Sequence, residues 1–179
     1  GSEPCPLQPG ALVSFGTHVA VFRFAAEADL EAIEQDLASP FTPVATTSPA
    51  LARKTLILRH LAKGDDDLLI VGETGVGKEE FARAIHAVSG RWGKFVAINC
   101  AALPGTLIES ELFGYVKGAH SQANRDKLGL IDEAEHWTLF LDEFAEISME
   151  VQAKLLRFLE NKDMQALGST KTRRIETRI

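Results

Sequence analysis

Cysteine, tyrosine and long apolar runs are what this chain has least of. Its two cysteines, Cys5 and Cys100, are too few and too far apart to form a disulfide framework, so both are expected to be free thiols in a reducing compartment. No apolar run approaches membrane-spanning length, and the N-terminus lacks the pattern of a secretory signal. A cytoplasmic location and no membrane partner are therefore expected. A basic surplus is also missing. Nineteen Lys and Arg face 25 Asp and Glu, a net charge of −6, so nothing global points to a nucleic-acid or anionic-membrane surface. Internal repeats and low-complexity tracts are absent too. What remains, 179 residues that are 45% hydrophobic and 25% charged, is enough for one soluble domain with a small appendage.

The chain reads as three zones. In residues 1–26, Ala11-Leu12-Val13-Ser14-Phe15 and His18-Val19-Ala20-Val21-Phe22 are β-branched and aromatic runs broken by Gly16, the pattern of a hairpin. A lone hairpin is marginal in water, so it must pack on something or belong to a larger domain. Residues 27–46 read as a helix and linker. Leu30, Ile33 and Leu37 recur on one face of a short helix that Ser39-Pro40 ends. Residues 47–179 alternate apolar strands with amphipathic helices, the signature of an α/β domain with a parallel sheet. Strands are expected at 68–71, 95–98 and 139–141, with a weaker one at 175–179. Helices are expected at 50–62 (Leu51, Leu58, Leu61), 79–88 (Phe81, Ile85, Val88) and after Ser148 as N-cap (Val151, Leu155, Phe158, Leu159).

The first of those strands runs into Gly72, Glu73, Thr74, Gly75, Val76, Gly77 and Lys78, and a helix follows. Strand, glycine-rich turn and helix form the context of a phosphate loop. Glycines let backbone amides turn inward, the helix N-terminus adds partial positive charge, and Lys78 supplies a full charge to β- and γ-phosphates. The Ser or Thr that usually follows the lysine and binds Mg²⁺ is Glu79 here. The alternative is a plain glycine turn with a surface lysine.

A second strand, Thr138-Leu139-Phe140-Leu141, ends in Asp142-Glu143. Parallel sheets present such ends to their ligand, so Asp142 is placed to face Mg²⁺ and Glu143 to polarise an attacking water. The alternative is an exposed strand end with paired acids. Asp132-Glu133 sits in helix-compatible sequence and reads as a solvated helix face.

Together these segments resemble the central AAA+ domain of NtrC-like bacterial enhancer-binding proteins, activators of sigma-54 RNA polymerase. Residues 72–79 resemble that family's Walker A, in which glutamate commonly follows the lysine. Ala84-Ile85-His86, Phe95-Val96-Ala97-Ile98-Asn99-Cys100-Ala101-Ala102-Leu103 and Glu109-Ser110-Glu111-Leu112-Phe113-Gly114 are similar to its next segments. Residues 138–143 resemble its Walker B, and Val151-Gln152-Ala153-Lys154-Leu155-Leu156-Arg157 the helix beyond. The resemblance covers about residues 47–179. It implies a three-layer P-loop NTPase fold, ATP and Mg²⁺ as cofactors, assembly into a ring, and remodelling of the sigma-54 closed promoter complex. It also implies that Asn99 holds Glu143 in an inactive pose and senses nucleotide. The alternative for Asn99 is a strand-end amide capping a nearby backbone group.

Two departures stand out. The family's sigma-54 contact loop usually reads Gly-Ala-Phe-Thr-Gly-Ala; this chain has Gly118, Ala119, His120, Ser121, Gln122 and Ala123, with imidazole in place of an aromatic wedge. His120 is either a loop-tip residue without a special role or a pH sensor. Trp137 also stands where the family usually has glycine. Second, Thr172 to Ile179 resembles the strand leading into the sensor I asparagine, and the chain stops before it. The resemblance places arginine fingers, the last core strand, a helical lid and a DNA-binding helix-turn-helix beyond this stretch. The chain is thus expected to be truncated relative to the family, to expose a ladder edge beside its phosphate-loop strand, and to bind nucleotide but turn it over slowly. Lys171, Arg173 and Arg174 read as one polar strand face. The N-terminal hairpin resembles the closing strands of a forkhead-associated domain, through Phe15-Gly16-Thr17-His18-Val19 and Val21-Phe22-Arg23-Phe24.

Two rival functions follow from the same residues. One is a nucleotide-binding regulatory protein that does not engage sigma-54 because its 118–123 loop is altered. The other is an unrelated P-loop phosphotransferase, against which Asn99 and the 109–114 segment argue.

Overall fold

A computed structural model describes residues 8–9, 12–15, 18–21, 25–41, 46 and 48–179. Cys5, Ala11, Gly16, Thr17, Phe22, Arg23 and Phe24, used in the reading above, lie outside the described residues. The chain divides into two compact units, Gly1–Ile57 and Leu58–Ile179.

In the first unit, β1 (Leu12–Phe15) pairs antiparallel with β2 (His18–Val21), with Leu12 opposite Val21 and Phe15 opposite His18, so the expected hairpin forms. Helix α1 (Glu27–Ala38) follows, and α2 begins at Pro49 and ends at Leu61, across the division. The expected apolar face of α1 is not the one it buries. Leu30 and Leu37 are about half exposed, whereas Asp29, Ala32 and Asp36 are buried. The reason is a polar hub. Asp36 accepts hydrogen bonds from Phe41 N at 3.1 Å, Thr46 N at 2.8 Å and Thr55 Oγ1 at 3.4 Å, while Arg53 pairs with Asp29. A carboxylate with several donors can be buried, and it then decides which side of its helix faces inward.

The second unit is built on a parallel pair. β3 (Phe95–Asn99) runs beside β4 (Thr138–Asp142), with Phe95 opposite Thr138 and Asn99 opposite Asp142. Arg178 bridges to Thr138 in parallel, and Leu68 N donates to Ile179 O at 2.8 Å. The spatial order is therefore 95–99, 138–142, 178–179, 68. Two expected strands are corrected. Residues 69–71 form no ladder, and Leu69 and Val71 are 84% and 86% exposed, because among the described residues no backbone runs alongside them past Leu68. Residues 175–179 contribute single bridges rather than a strand, while Arg173–Arg174 (β6) pairs antiparallel with Asp163–Met164 (β5).

Helices cover this frame: α3 (Lys78–Val88), α4 (Gly105–Phe113), the single turn α5 (Leu130–Glu133) and α6 (Met149–Asn161). Helix α6 follows its sequence pattern. Ser148 Oγ caps the Val151 amide, and Val151, Leu155 and Phe158 are buried in a core shared with Ile98, Leu112, Ile131 and Leu139. Helix α3 buries Ile85 with Ala82 and Ala84, while Phe81 is only partly buried.

Asp132 departs from the solvated helix face expected of it. Its side chain is 6% exposed, accepts from Gly129 N at 3.1 Å and pairs with Arg173. It thereby caps α5 at a point where two backbones nearly touch. A Cβ on Gly129 would lie 2.3 Å from Leu112 O, so only glycine fits there.

His136 adopts φ +65°, the left-handed region, and its amide donates to Glu176 O at 2.5 Å. Such a backbone costs a non-glycine residue about 1–2 kcal/mol. His136→Gly is accordingly expected to stabilise the fold by about 0.5–1 kcal/mol after glycine's greater unfolded entropy is subtracted. Urea unfolding of the two proteins checks this; a midpoint that falls would show that the imidazole makes a compensating contact.

Candidate functional site

The phosphate-loop sequence forms an open turn ahead of α3. Gly75 and Gly77 take φ of +83° and +89°, a conformation that suits glycine, and a Cβ on Gly72 would meet Val76 Cγ2 at 2.9 Å. Gly77 precedes the first helical residue, Lys78, so the turn leads directly into the unpaired amides of a helix N-terminus. Lys78 Nζ folds back over that turn. It donates to Gly72 O and Glu73 O, each at 3.3 Å, and lies 4.0 Å from Glu143 Oε1. The fold thus brings the lysine to the carboxylate pair from 65 residues away.

The pair itself ends β4. Asp142 closes the strand, and Glu143 takes φ +49°, ψ +41°, with its amide donating to Asp142 Oδ1 at 3.0 Å. A left-handed non-glycine residue at a strand end stores strain, and such strain concentrates where a side chain must be aimed. Here it aims Glu143 at Lys78.

Asn99 ends the neighbouring strand, in register with Asp142. Its Oδ1 accepts from the amides of Ala101 at 2.9 Å and Ala102 at 3.2 Å, capping a short 3₁₀ turn at Cys100–Ala102. The capping role allowed by the residue is therefore filled, and it leaves the amide nitrogen as the group available to a neighbour.

Glu79 does not face the loop. Its Oε1 accepts from Arg83 Nε at 3.0 Å and Nη2 at 2.6 Å along the helix. The i,i+4 spacing was legible in the sequence; its further anchoring on Phe95, 4.6 Å from Arg83 Cζ, was not.

Residues 118–123 lie elsewhere, as a closed turn. Gly118 N donates to Ala123 O at 2.8 Å, and the loop base is zipped by reciprocal bonds between Tyr115 and Lys127. Val116 N and Leu167 N complete a pair of bonds that fasten this base to the 167–168 turn. His120 is exposed. Its ring meets Tyr115 edge-on at 4.7 Å and its Nδ1 accepts from Gln122 N at 3.3 Å. An open cleft of about 590 Å³ adjoins this loop through Ala119 and Gly168, and it is lined also by the ion pair of Lys154 and Glu109. Trp137, noted as a departure, fills the space beside Gly93, where a Cβ would lie 1.7 Å from the indole.

A glycine turn opening a helix, beside the carboxylate ends of parallel strands, is the architecture of a phosphate-loop α/β domain. The family model of the Sigma-54 interaction domain matches residues 44–179, and the chain belongs to that family. Its fold is that of the AAA+ domain of sigma-54 activators. Among curated relatives, the probable regulatory protein HrpS of Pseudomonas syringae pv. syringae is 53% identical over 59% of this chain and 35% of its own length. The alginate biosynthesis regulator AlgB of Pseudomonas putida is 42% identical over 85% of this chain and 34% of its own. The Nif-specific regulatory protein of Rhodobacter capsulatus is 47% identical over 74% and 23%. The crystal structure of Brucella abortus NtrX in complex with ATP superposes with a TM-score of 0.68 at 32% identity, covering 84% of this chain and 32% of that one. The chain thus spans about a third, or less, of the length of these proteins. Among the described residues no helix is long and apolar enough to cross a membrane.

Cys100 is buried behind the strand ends, and its thiol is pushed up to about 11, first by burial and then by the Asp142 carboxylate. Well below pH 9 the thiol is neutral in folded and unfolded chains alike. Between pH 9 and 11 the unfolded thiol ionises and the folded one does not, so stability falls as pH rises, by up to about 1.4 kcal/mol per pH unit. Urea unfolding at pH 8 and pH 10.5 is expected to show a smaller loss for Cys100→Ala than for the wild type; equal losses would contradict the assignment.

Proposed function

We propose that this chain is the ATP-binding and ATP-hydrolysing core of a sigma-54-dependent transcriptional activator that remodels the closed complex of RNA polymerase. The observation that carries this reading is Lys78, suspended between the phosphate-loop carbonyls and Glu143 at the ends of two parallel strands. Residues 72–78 would cradle the triphosphate, with Glu79 turned away to Arg83 and Lys78 leaving Glu143 for the phosphate oxygens. Asp142 and Glu143 offer hard oxygen donors of the kind Mg²⁺ takes beside phosphates, and Mg²⁺ would neutralise charge that builds on the γ-phosphate. Released from Lys78, Glu143 positions and polarises the attacking water. Asn99, whose amide nitrogen remains available beside Asp142, holds Glu143 away from that water until nucleotide is in place.

In the whole protein, ring assembly would supply arginine fingers, sigma-54 would be contacted by the 118–123 loop, DNA would be reached through a separate domain, and all of this would take place in the cytoplasm. Family membership and the likeness to ATP-bound NtrX support this reading. The hairpin β1–β2 is compatible with the end of a forkhead-associated sensor domain preceding a linker and the ATPase core. A second reading has its own support. The 118–123 loop presents a polar tip, with His120 turned against Tyr115, which suits a nucleotide-binding regulator that does not engage sigma-54.

Lys78→Ala is expected to weaken binding of a fluorescent ATP analogue with Mg²⁺ by roughly 10- to 100-fold. Glu143→Gln should keep binding while phosphate release falls about 100-fold or more. Binding that survives Lys78→Ala undiminished would sink the nucleotide reading. For the loop, His120→Phe, Ser121→Thr and Gln122→Gly together in the full-length protein should raise sigma-54 affinity; no increase would mean that the tip residues do not set that contact.

A further inference from the structure

Glu79 directly follows the lysine assigned to phosphate, an unusual place for an anion in a site built to receive one. Its carboxylate is turned along α3 and held there by two donors of a single guanidinium, Arg83 Nε at 3.0 Å and Nη2 at 2.6 Å. Both side chains are about half exposed, and an exposed i,i+4 pair adds little to the stability of a helix. Stability alone gives the arrangement little purpose.

The guanidinium is itself held. Arg83 Cζ lies 4.6 Å from the Phe95 ring centre, a cation–π contact. Phe95 stacks on Phe140 of the neighbouring strand at 5.7 Å and meets His86 at 5.6 Å. His86 in turn is hydrogen-bonded to Thr138 Oγ1 at 2.9 Å and to Gly93 O at 3.2 Å. The parallel strands thus hold Arg83, and Arg83 holds the carboxylate. At the second residue of α3, Glu79 gains from the helix dipole. Left unpaired beside Lys78, it would also weaken the positive field that the phosphate loop offers a polyanion.

We propose that Arg83 is a positioning residue that keeps Glu79 off the phosphate site and cancels its charge, so that a loop with glutamate after its lysine accepts a nucleoside triphosphate. This rests on the nucleotide-binding reading above.

The test is the affinity of the full chain for a fluorescent ATP analogue with Mg²⁺, at low and high salt. The proteins compared are wild type, Arg83→Gln, Glu79→Gln, the double variant, and Lys78→Ala as control. Arg83→Gln is expected to weaken binding on the order of three- to tenfold at low salt, with the difference shrinking as salt screens it. The double variant, which also lacks the guanidinium, should bind within about twofold of wild type, showing that the fold survives without Arg83. Glu79→Gln alone should bind about twofold more tightly. Unchanged affinity of Arg83→Gln overturns the proposal. So does a loss that the second substitution fails to restore, because Arg83 would then act through its packing on Phe95. Weaker binding by Glu79→Gln overturns it as well, since Glu79 would itself be a ligand. If Lys78→Ala binds as well as wild type, the nucleotide reading fails instead, and that outcome is distinct from the other three.

Discussion

The dipeptide Arg178-Ile179 joins the two halves of the candidate site. Its backbone lies beside β4, with Arg178 N donating to Trp137 O and Leu139 N donating to Arg178 O. Its other side holds the arm that leads to the phosphate loop, through Ile179 O to Leu68 N and Ile179 N to Asp67 Oδ1. The Arg178 side chain, 2% exposed, donates to the carbonyls of Leu61, Ala62 and Asp66. A buried guanidinium is tolerable only when its donors are satisfied, and here they are satisfied by the end of α2 and the turn after it. Burial and the Arg91 charge lower its pKa, and the acids Asp65, Asp66 and Asp67 oppose that shift. The arm that leads to the phosphate loop is thereby tied to the strand that carries the carboxylate pair.

Acids and bases from distant positions complete it. Lys162 reaches Asp67 at 2.6 Å, which anchors the half-buried end of the run Asp65-Asp66-Asp67, while Arg91 reaches Asp65 at 2.6 Å at the solvent-exposed end. The loop beyond is then free to stay open. Residues 71–76 are exposed, and among the described residues Lys78 is held by two long hydrogen bonds and a 4.0 Å ion pair. A rigid frame with a weakly restrained lysine suits a site whose charges must rearrange around an incoming polyanion.

Much of this was legible in order along the chain. Glycine spacing at 72–77 announces a turn that needs left-handed backbone, the apolar run 138–141 announces a strand, and Ser148 with Val151, Leu155 and Phe158 announces a capped amphipathic helix. Each is a local signal, and the structure agrees with each. The readings that failed needed partners remote in sequence. Leu30 and Leu37 lost the inner face of α1 to Asp36, whose donors come from Phe41, Thr46 and Thr55. Asp132 left solvent because Gly129 and Arg173 claim it. Residues 69–71 have strand propensity but no ladder, because a strand is a property of two segments.

By itself, then, the sequence determined the class of domain, the order of its elements, and the residue types at the phosphate turn and the strand ends. These follow from backbone preferences and hydrophobic period, which act over a few residues. Only the tertiary structure decided which remote groups face one another: Glu143 toward Lys78, Arg83 onto the Phe95 ring, and the base of the 118–123 loop fastened through Tyr115 to Lys127 and through Val116 to Leu167. Such pairings depend on directions set by the parallel register of β3 and β4 and by the Arg178 bracket, and no local preference encodes them.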